Sequence, residues 1–515
     1  MGAAGVDVSG NLTAAAGNIA INGTGGITGT GAISTTGWLT TSSSGGTTLS
    51  GANTVGSFNA TNTTSGGVSL INTAATLSVG SFTQSANGGM SITNTGNVNL
   101  LGNATSNTSL LVKATGDITI GPGAVLYTLA PGAMNVVLNS DSDAVGGGAI
   151  VMNAGSSINS NGGNITLGGG VGVISAGAGF AQGYNAPGLY NGVTVNGNLT
   201  AGGGNIVVNG ITDAVTDGLI LPVGVGIAGN VSTTGAGTIT LTGHSMNVGP
   251  TSNVMVGVSV GYWGVGTVTS AGGNILIDGT TANGINGVGA LVGWASTVQS
   301  TGAGNVTING TSGINAAAPS WNWGLKVDTG SQVLSNSGIL TLNGNNTATS
   351  GPAGQVYGVH ILGGGAADTK VASTSGAINI TGRANTVSGT GVAIDQPLVA
   401  NIIGNNTSGD ITLTADTLNL AGALIRGTGV LAVKPFTPGT SIGIAGGAGT
   451  LALTAANFAT NFVPGFLGGI MVGDFFSGAI TVGGATSVND DLILMSGGAK
   501  SLKAAFQSVI VGTGV

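Results

Sequence analysis

Short aliphatic pairs separated by single residues recur along this chain at a long, regular interval. Between residues 163 and 413 one pattern returns: Gly, any residue, aliphatic, any residue, aliphatic. The pairs are Ile165/Leu167, Ile206/Val208, Ile239/Leu241, Ile275/Ile277, Val306/Ile308, Leu340/Leu342, Ile378/Ile380 and Ile411/Leu413. Alternation with period two puts both members on one face of a strand and turns the residue between them outward. Those middle residues include Thr166, Thr240, Thr307, Thr341 and Thr412, with Val207, Leu276 and Asn379 as interruptions. Thr is β-branched and wettable, which suits an outward strand position. The interval of about 35 residues lies in the range of stacked repeats.

Each module carries two more strand signals. One lies seven or eight residues upstream, led by Leu199, Val231, Val268, Val298, Val333, Val371 and Ile403. The other is a second aliphatic pair: Val193/Val195, Val258/Val260, Leu325/Val327, Val359/Ile361 and Val392/Ile394. Three short strands per coil, joined by glycine-rich corners, predict an all-β parallel β-helix, a β-solenoid. No coil can bury its apolar face alone, so the stack is the cooperative unit.

Residues 1–150 predict lean coils. Val55-Gly-Ser-Phe58 returns as Val79-Gly-Ser-Phe82, and Val68-Ser-Leu-Ile-Asn72 as Met90-Ser-Ile-Thr-Asn94. Residues 151–410 predict coils with inserted loops, such as His244 to Met255 and Asn345 to Val356. Residues 411–515 continue in altered form through Leu418/Leu420, Leu431/Val433, Leu451/Leu453 and Ile480/Val482. Only Ala499 to Val511 suggests a helix, as a cap or else as one more strand. About 16 to 20 coils at ~4.8 Å per stacked strand predict a rod roughly 80–100 Å long.

Composition excludes several classes. Charged residues are 4% of the 515, with 8 Lys+Arg, 15 Asp+Glu and a net charge of −7. Such a chain offers no basic stripe for nucleic acid. Gly numbers 103, without the every-third spacing of collagen. The good helix formers Glu, Lys, Arg and Gln are nearly absent, and every acid is Asp. Aliphatics are too many, and net charge too small, for disorder. Mean hydropathy is positive, yet no run of about 18 apolar residues exists to make a membrane helix. Cysteine is absent, which fits an extracellular surface protein and equally a cytosolic one. Met1 to Gly31 has no Lys, Arg or apolar core, so no signal peptide is expected there.

Asn161-Gly-Gly-Asn-Ile-Thr-Leu-Gly-Gly-Gly170, Gly197-Asn-Leu-Thr-Ala-Gly-Gly-Gly-Asn-Ile206 and Gly409-Asp-Ile-Thr-Leu-Thr-Ala-Asp-Thr-Leu-Asn-Leu420 resemble the repeat regions of filamentous-haemagglutinin-like exoproteins, the adhesins of bacterial two-partner secretion. The likeness is one of repeat style and covers nearly the whole chain. It implies a right-handed parallel β-helix at the cell surface, acting in adhesion, biofilm or filament formation. The family's amino-terminal secretion domain is not evident.

Candidate chemistry is sparse. The close acid pairs are Asp141/Asp143, Asp213/Asp217 and Asp490/Asp491, all in turn-rich stretches where Asp caps turns. His360 should face outward, in one column with Lys326 and Ala393; no second His or Cys lies near to make a metal site. No catalytic residue, cofactor or metal is expected. Tyr190, Tyr262, Trp263, Trp294, Trp321, Trp323 and Tyr357 lie near the second strand of successive coils. They are candidate glycan- or ligand-contact residues lining one flank, or else they fold over to shield the inserted loops. Asn-x-Ser/Thr sequons, among them Asn11, Asn59, Asn164, Asn198 and Asn305, are expected mostly by chance. Asn309 and Asn343 are placed to form a side-chain ladder.

The expectation is an extracellular structural and adhesive solenoid, not an enzyme. Its partners would be copies of itself, surface glycans, or receptors on host or neighbouring cells. Asp7 near the start and Lys500 and Lys503 near the finish are the few charges available to guard the terminal coils, which favours end-to-end stacking. The alternatives are a polysaccharide lyase or hydrolase on a β-helix, short of acids, and an ice-binding solenoid, whose Thr column is interrupted.

Overall fold

The computed structural model describes residues 4–497 and 503–504, with the exception of 86, 130–131, 172–178, 213–220, 247–253, 262, 283–285, 314–321, 349–355, 364–367, 386–388 and 396–400. It is all-β, built of short strands paired in parallel with their counterparts one coil away. The chain divides into two compact units, Met1–Val215 with Val223–Gly243, and Thr216–Pro222 with His244–Val515. Among the described residues no helix is long and apolar enough to cross a membrane.

The first unit is a parallel β-solenoid whose coils lengthen along the chain. Val6 pairs with Ile27, Ile27 with Thr47, Thr47 with Val68, Val68 with Met90 and Met90 with Leu110, steps of 20 to 22 residues. The same column continues to Val136, Ile165 and Ile206 in steps of 26, 29 and 41. The lean coils fold without loops. Long strands such as Thr47–Asn62 and Val68–Gln84 bend at corners where the register shifts.

Buried asparagines take up the backbone groups that a bend releases. Asn72 accepts from the Val55 N–H at 2.8 Å, donates to the Val55 carbonyl at 3.0 Å, and donates to Asn94 Oδ1 at 2.9 Å. Asn53 accepts from the Ile33 N–H at 3.0 Å and donates to the Ile71 carbonyl at 2.9 Å. The aliphatic pairs fill the interior between these corners. Ile165, Leu167, Ile206, Val208, Ile239 and Leu241 are all fully buried, and each contributes about 2 kcal/mol of burial. Thr166, Val207 and Thr240 between them are partly exposed, as their alternation predicts.

The second unit is also a parallel solenoid, with three stacked columns. One runs Ile275, Val306, Leu340, Ile378, Ile411, Leu431, Ile470, Leu492. A second runs Val258, Ala290, Leu325, Val359, Val392, and a third Val268, Val298, Val333, Val371, Ile403. Asn343 donates to Asn309 Oδ1 at 2.9 Å, the ladder expected from the sequence. A second ladder lies just after the corner glycines: the Asn305 N–H donates to Asn274 Oδ1, and the Ile339 N–H to Asn305 Oδ1.

One repeat takes a register of its own, and two expectations change. The Val55–Phe58 and Val79–Phe82 repeats do not stack on each other, because Phe58 pairs with Val79 and Ala60 with Phe82. Their 24-residue interval exceeds the local coil of 21 to 22, and hydrogen bonding sets the register. The inserted loops are shorter than drawn, since strands Ile239–Ser245, Val254–Val260, Leu340–Asn346 and Val356–Leu362 run into both ends of the examples named. The residues between, 247–253 and 349–355, lie outside the described residues. Finally, a helical turn occurs away from the tail. Asn457–Asn461 forms one π-helical turn, with Phe458 and Phe462 buried edge-to-face at 5.4 Å and Asn461 donating to the Leu420 and Ala423 carbonyls. In the tail, Lys503–Ala504 is a strand paired with Thr481–Val482, and 499–502 and 505–511 lie outside the described residues.

Candidate functional site

Five parallel strands of the second unit carry the site: Val254–Val260, Asn286–Val292, Asn322–Asp328, Val356–Leu362 and Thr390–Asp395. Each carries a glycine, aligned in register from coil to coil. At this level two strand layers approach so closely that a methyl on Gly344 would overlap the Gly358 carbonyl, and one on Gly310 the Gly324 carbonyl. Beyond the glycine the aliphatic pair points inward. The residue between the pair members faces out, giving the column Ser259, Leu291, Lys326, His360, Ala393. A parallel column before the glycine runs Val256, Val288, Trp323, Tyr357.

The two columns meet. The Lys326 ammonium lies 4.8 Å from the centre of the Trp323 ring and pairs with Asp328 at 3.0 Å. The Tyr357 and His360 rings stack at 4.3 Å, and Trp323 stacks on His360 at 6.4 Å. Trp323 Nε1–H donates to His360 Nδ1 at 3.0 Å, so Nδ1 is an acceptor; His360 Nε2–H then donates to Asp395 Oδ1 at 2.7 Å. Asn419 donates to Asp395 Oδ2 at 3.2 Å. Burial pushes the Tyr357 phenol pKa up, and the Asp395 charge adds to it. Trp323, Tyr357 and His360 are all buried.

A groove of about 470 Å³ runs along these columns. Val254, Val256, Val288 and Leu291 give it an apolar floor, Trp294 and Trp323 its aromatic walls, and Lys326 with Asp328 a charged end. Ser259 also borders it, and its buried hydroxyl has no hydrogen-bond partner among the described residues. Trp294, which lines the groove, and Trp263 beside it are 45% and 66% exposed with ring centres 6.3 Å apart. Both have left-handed backbone, with φ of 53° for Trp294 and 57° for Trp263. Bulky residues rarely adopt that conformation, and such strain concentrates at binding sites.

The sequence-predicted aromatics thus divide. Trp263 and Trp294 stand exposed, whereas Trp323 and Tyr357 fold down into the cluster. Tyr190 belongs to the first unit and is half-buried, its carbonyl accepting from Thr212 Oγ1 at 2.6 Å. Tyr262 and Trp321 lie outside the described residues. The predicted column of Lys326, His360 and Ala393 is present. Asp328, Asp395, Leu291 and Ser259 carried no sequence signal beyond their place one coil from a neighbour.

Two of the described acids in the close pairs take up backbone N–H groups. Asp143 accepts from the Val145 N–H, and Asp490 from the Gly465 and Phe466 N–H groups. Burial, then the Asp143 charge, raises the Asp141 pKa. Asp213 and Asp217 lie outside the described residues. No family model, curated protein or solved structure matches the chain.

Proposed function

We propose that the protein is an extracellular structural and adhesive β-solenoid, without catalytic activity, that holds surface glycans through the tryptophan groove of its second unit. The observation that carries this reading is the exposed Trp263–Trp294 pair, kept in strained left-handed backbone, of which Trp294 lines a largely apolar groove. Aromatic faces stack on the C–H faces of sugar rings, and two tilted faces make a platform for successive residues of a chain. Turn-capping by Asp143 and Asp490 supports a binding role over hydrolysis, which needs two acids held across a scissile bond. The same parallel pairing that joins coil to coil within the chain, repeated between copies, would give fibres.

The test is adhesion of the purified chain to immobilised bacterial and host polysaccharides. Saturable binding without release of oligosaccharide is expected, and Trp263→Ala with Trp294→Ala should abolish it while leaving the circular dichroism spectrum unchanged. Glycan turnover, or binding indifferent to both tryptophans, would overturn the reading. Electron microscopy of the same sample should show filaments.

A further inference from the structure

The groove is unusual for a sugar site in how little of it is polar. Its floor beside Val254 is Val256 in one coil and Val288 with Leu291 in the next, at 2%, 2% and 9% exposure. A fully hydroxylated hexose laid there would lose the hydration of one edge over aliphatic side chains that offer no donor or acceptor, with only the Ser259 hydroxyl and the Asn286 amide, which already has a partner, beside them. That costs about 1–3 kcal/mol per stranded hydroxyl. Several polar groups that border the floor are already engaged. The Trp323 N–H donates to His360, and the Lys326 ammonium pairs with Asp328. The Lys–Asp pair still has proton and lone-pair capacity toward one end, where side chains are 15% and 24% exposed. The Ser259 hydroxyl, buried and without a partner among the described residues, is a further polar group at the border.

We infer that the groove selects a hexopyranose carrying a terminal methyl group, whether a 6-deoxy sugar or an N-acetylated one. The methyl lies on Val256, Val288 and Leu291, the ring face on Trp294, and the hydroxyls of the opposite edge reach Lys326 and Asp328. A volume of about 470 Å³ is within the range of pockets that enclose a small ligand. The floor disfavours the hydroxylated counterpart because the Val256, Val288 and Leu291 side chains give the added oxygen no hydrogen bond, which discriminates by about tenfold.

This inference rests on the adhesive reading, and the experiment separates the two. Tryptophan fluorescence titrations compare L-fucose with L-galactose, which differ only in the 6-hydroxyl, and N-acetylglucosamine with glucose. Within at least one pair the methyl-bearing sugar should bind about tenfold tighter, and saturation-transfer NMR should show the strongest transfer on its methyl protons. Trp294→Ala should weaken both members of that pair alike. Leu291→Asn should abolish the preference and retain the binding. Equal affinity within both pairs, or transfer strongest on the ring protons with Leu291→Asn neutral, overturns the methyl assignment. So does failure of all four sugars to bind while the chain still adheres through Trp294 to a polysaccharide, an outcome that leaves the adhesive reading standing. Failure of adhesion as well removes both.

Discussion

The lean coils of the first unit and the longer coils of the second turn their corners by opposite means. Around Thr47–Leu100 the strand bends without a loop, and Asn53, Asn72 and Asn94 reach in to hold the backbone groups that the bend frees. Around Leu340–Ile394 the pinch itself is glycine on glycine, and the buried amide of Asn346 holds backbone groups only beyond it, donating to the Asn322 carbonyl and accepting from the Ala348 N–H. Two strand layers touch through glycine, Gly344 against Gly358 and Gly382 against Gly391. A buried amide ladder occupies interior space and leaves the outer face to small residues such as Ser69, Ser91 and Thr93. A glycine contact occupies none. It throws the flanking residues outward, and that is where Trp323, Tyr357, Lys326 and His360 assemble. In these coils of the second unit the glycine contact and the groove therefore occur together.

Gly344→Ala should break this comparison most severely. Its new methyl meets the backbone of Gly358, which cannot rotate away, so a loss of about 3 kcal/mol or more is expected from overpacking. Denaturant unfolding measures it, and a cost below that of the next variant would refute the contrast. Asn72→Ala in the first unit should cost about 2 kcal/mol, since it strands the Val55 N–H and carbonyl in a dry interior.

Acid should separate the units with opposite signs. Both histidines belong to the second unit, and burial lowers the His244 pKa below its ordinary 6.5, against a smaller upward pull from Asp278. The folded state thus disfavours the protonated ring. Its contribution is intact above about pH 6.5 and falls as pH drops toward the lowered value. Asp141 in the first unit is raised above 3.8, so its contribution is present below that value and disappears as pH rises through the folded one. Between pH 7 and pH 5 the second unit should lose stability, and His244→Gln should flatten the profile. Identical slopes for wild type and variant would contradict this. The smallest effect belongs to Leu276→Thr, at a partly exposed middle position, where a change within about 0.5 kcal/mol is expected.

The solenoid was legible because its signal is periodic. Ile275 and Ile277 could be placed inward, and Leu276 outward, from alternation alone, since a half-buried strand admits only one phase. The groove was legible only in part. The column through Lys326 and His360 follows from register, and the aromatics announce themselves by size. That Trp323 folds down onto His360 while Trp294 stays out depends on the left-handed backbone at Trp294, which no residue preference for tryptophan foretells. The Val55 repeat did not reveal the register for the converse reason: similar words 24 residues apart do not count the residues that fit around one turn of the coil. The π-helical turn at Asn457 was hidden because its Phe458 and Phe462 are too few to show a helical period.

The stacked amides at Asn309 and Asn343 bear on how the protein ages. Each is followed by glycine, Gly310 and Gly344, the neighbour that least hinders spontaneous deamidation. That reaction needs the glycine nitrogen to swing onto the asparagine side-chain carbon and close a succinimide ring. Here Asn309 pairs with Asn343 and Gly310 with Gly344 across the ladder, and the side-chain amides grip one another at 2.9 Å. The nitrogen is held in extended backbone and cannot make the attack. Ring closure must wait for the strands to part, so the protein's chemical lifetime is set by how rarely this part of the ladder opens.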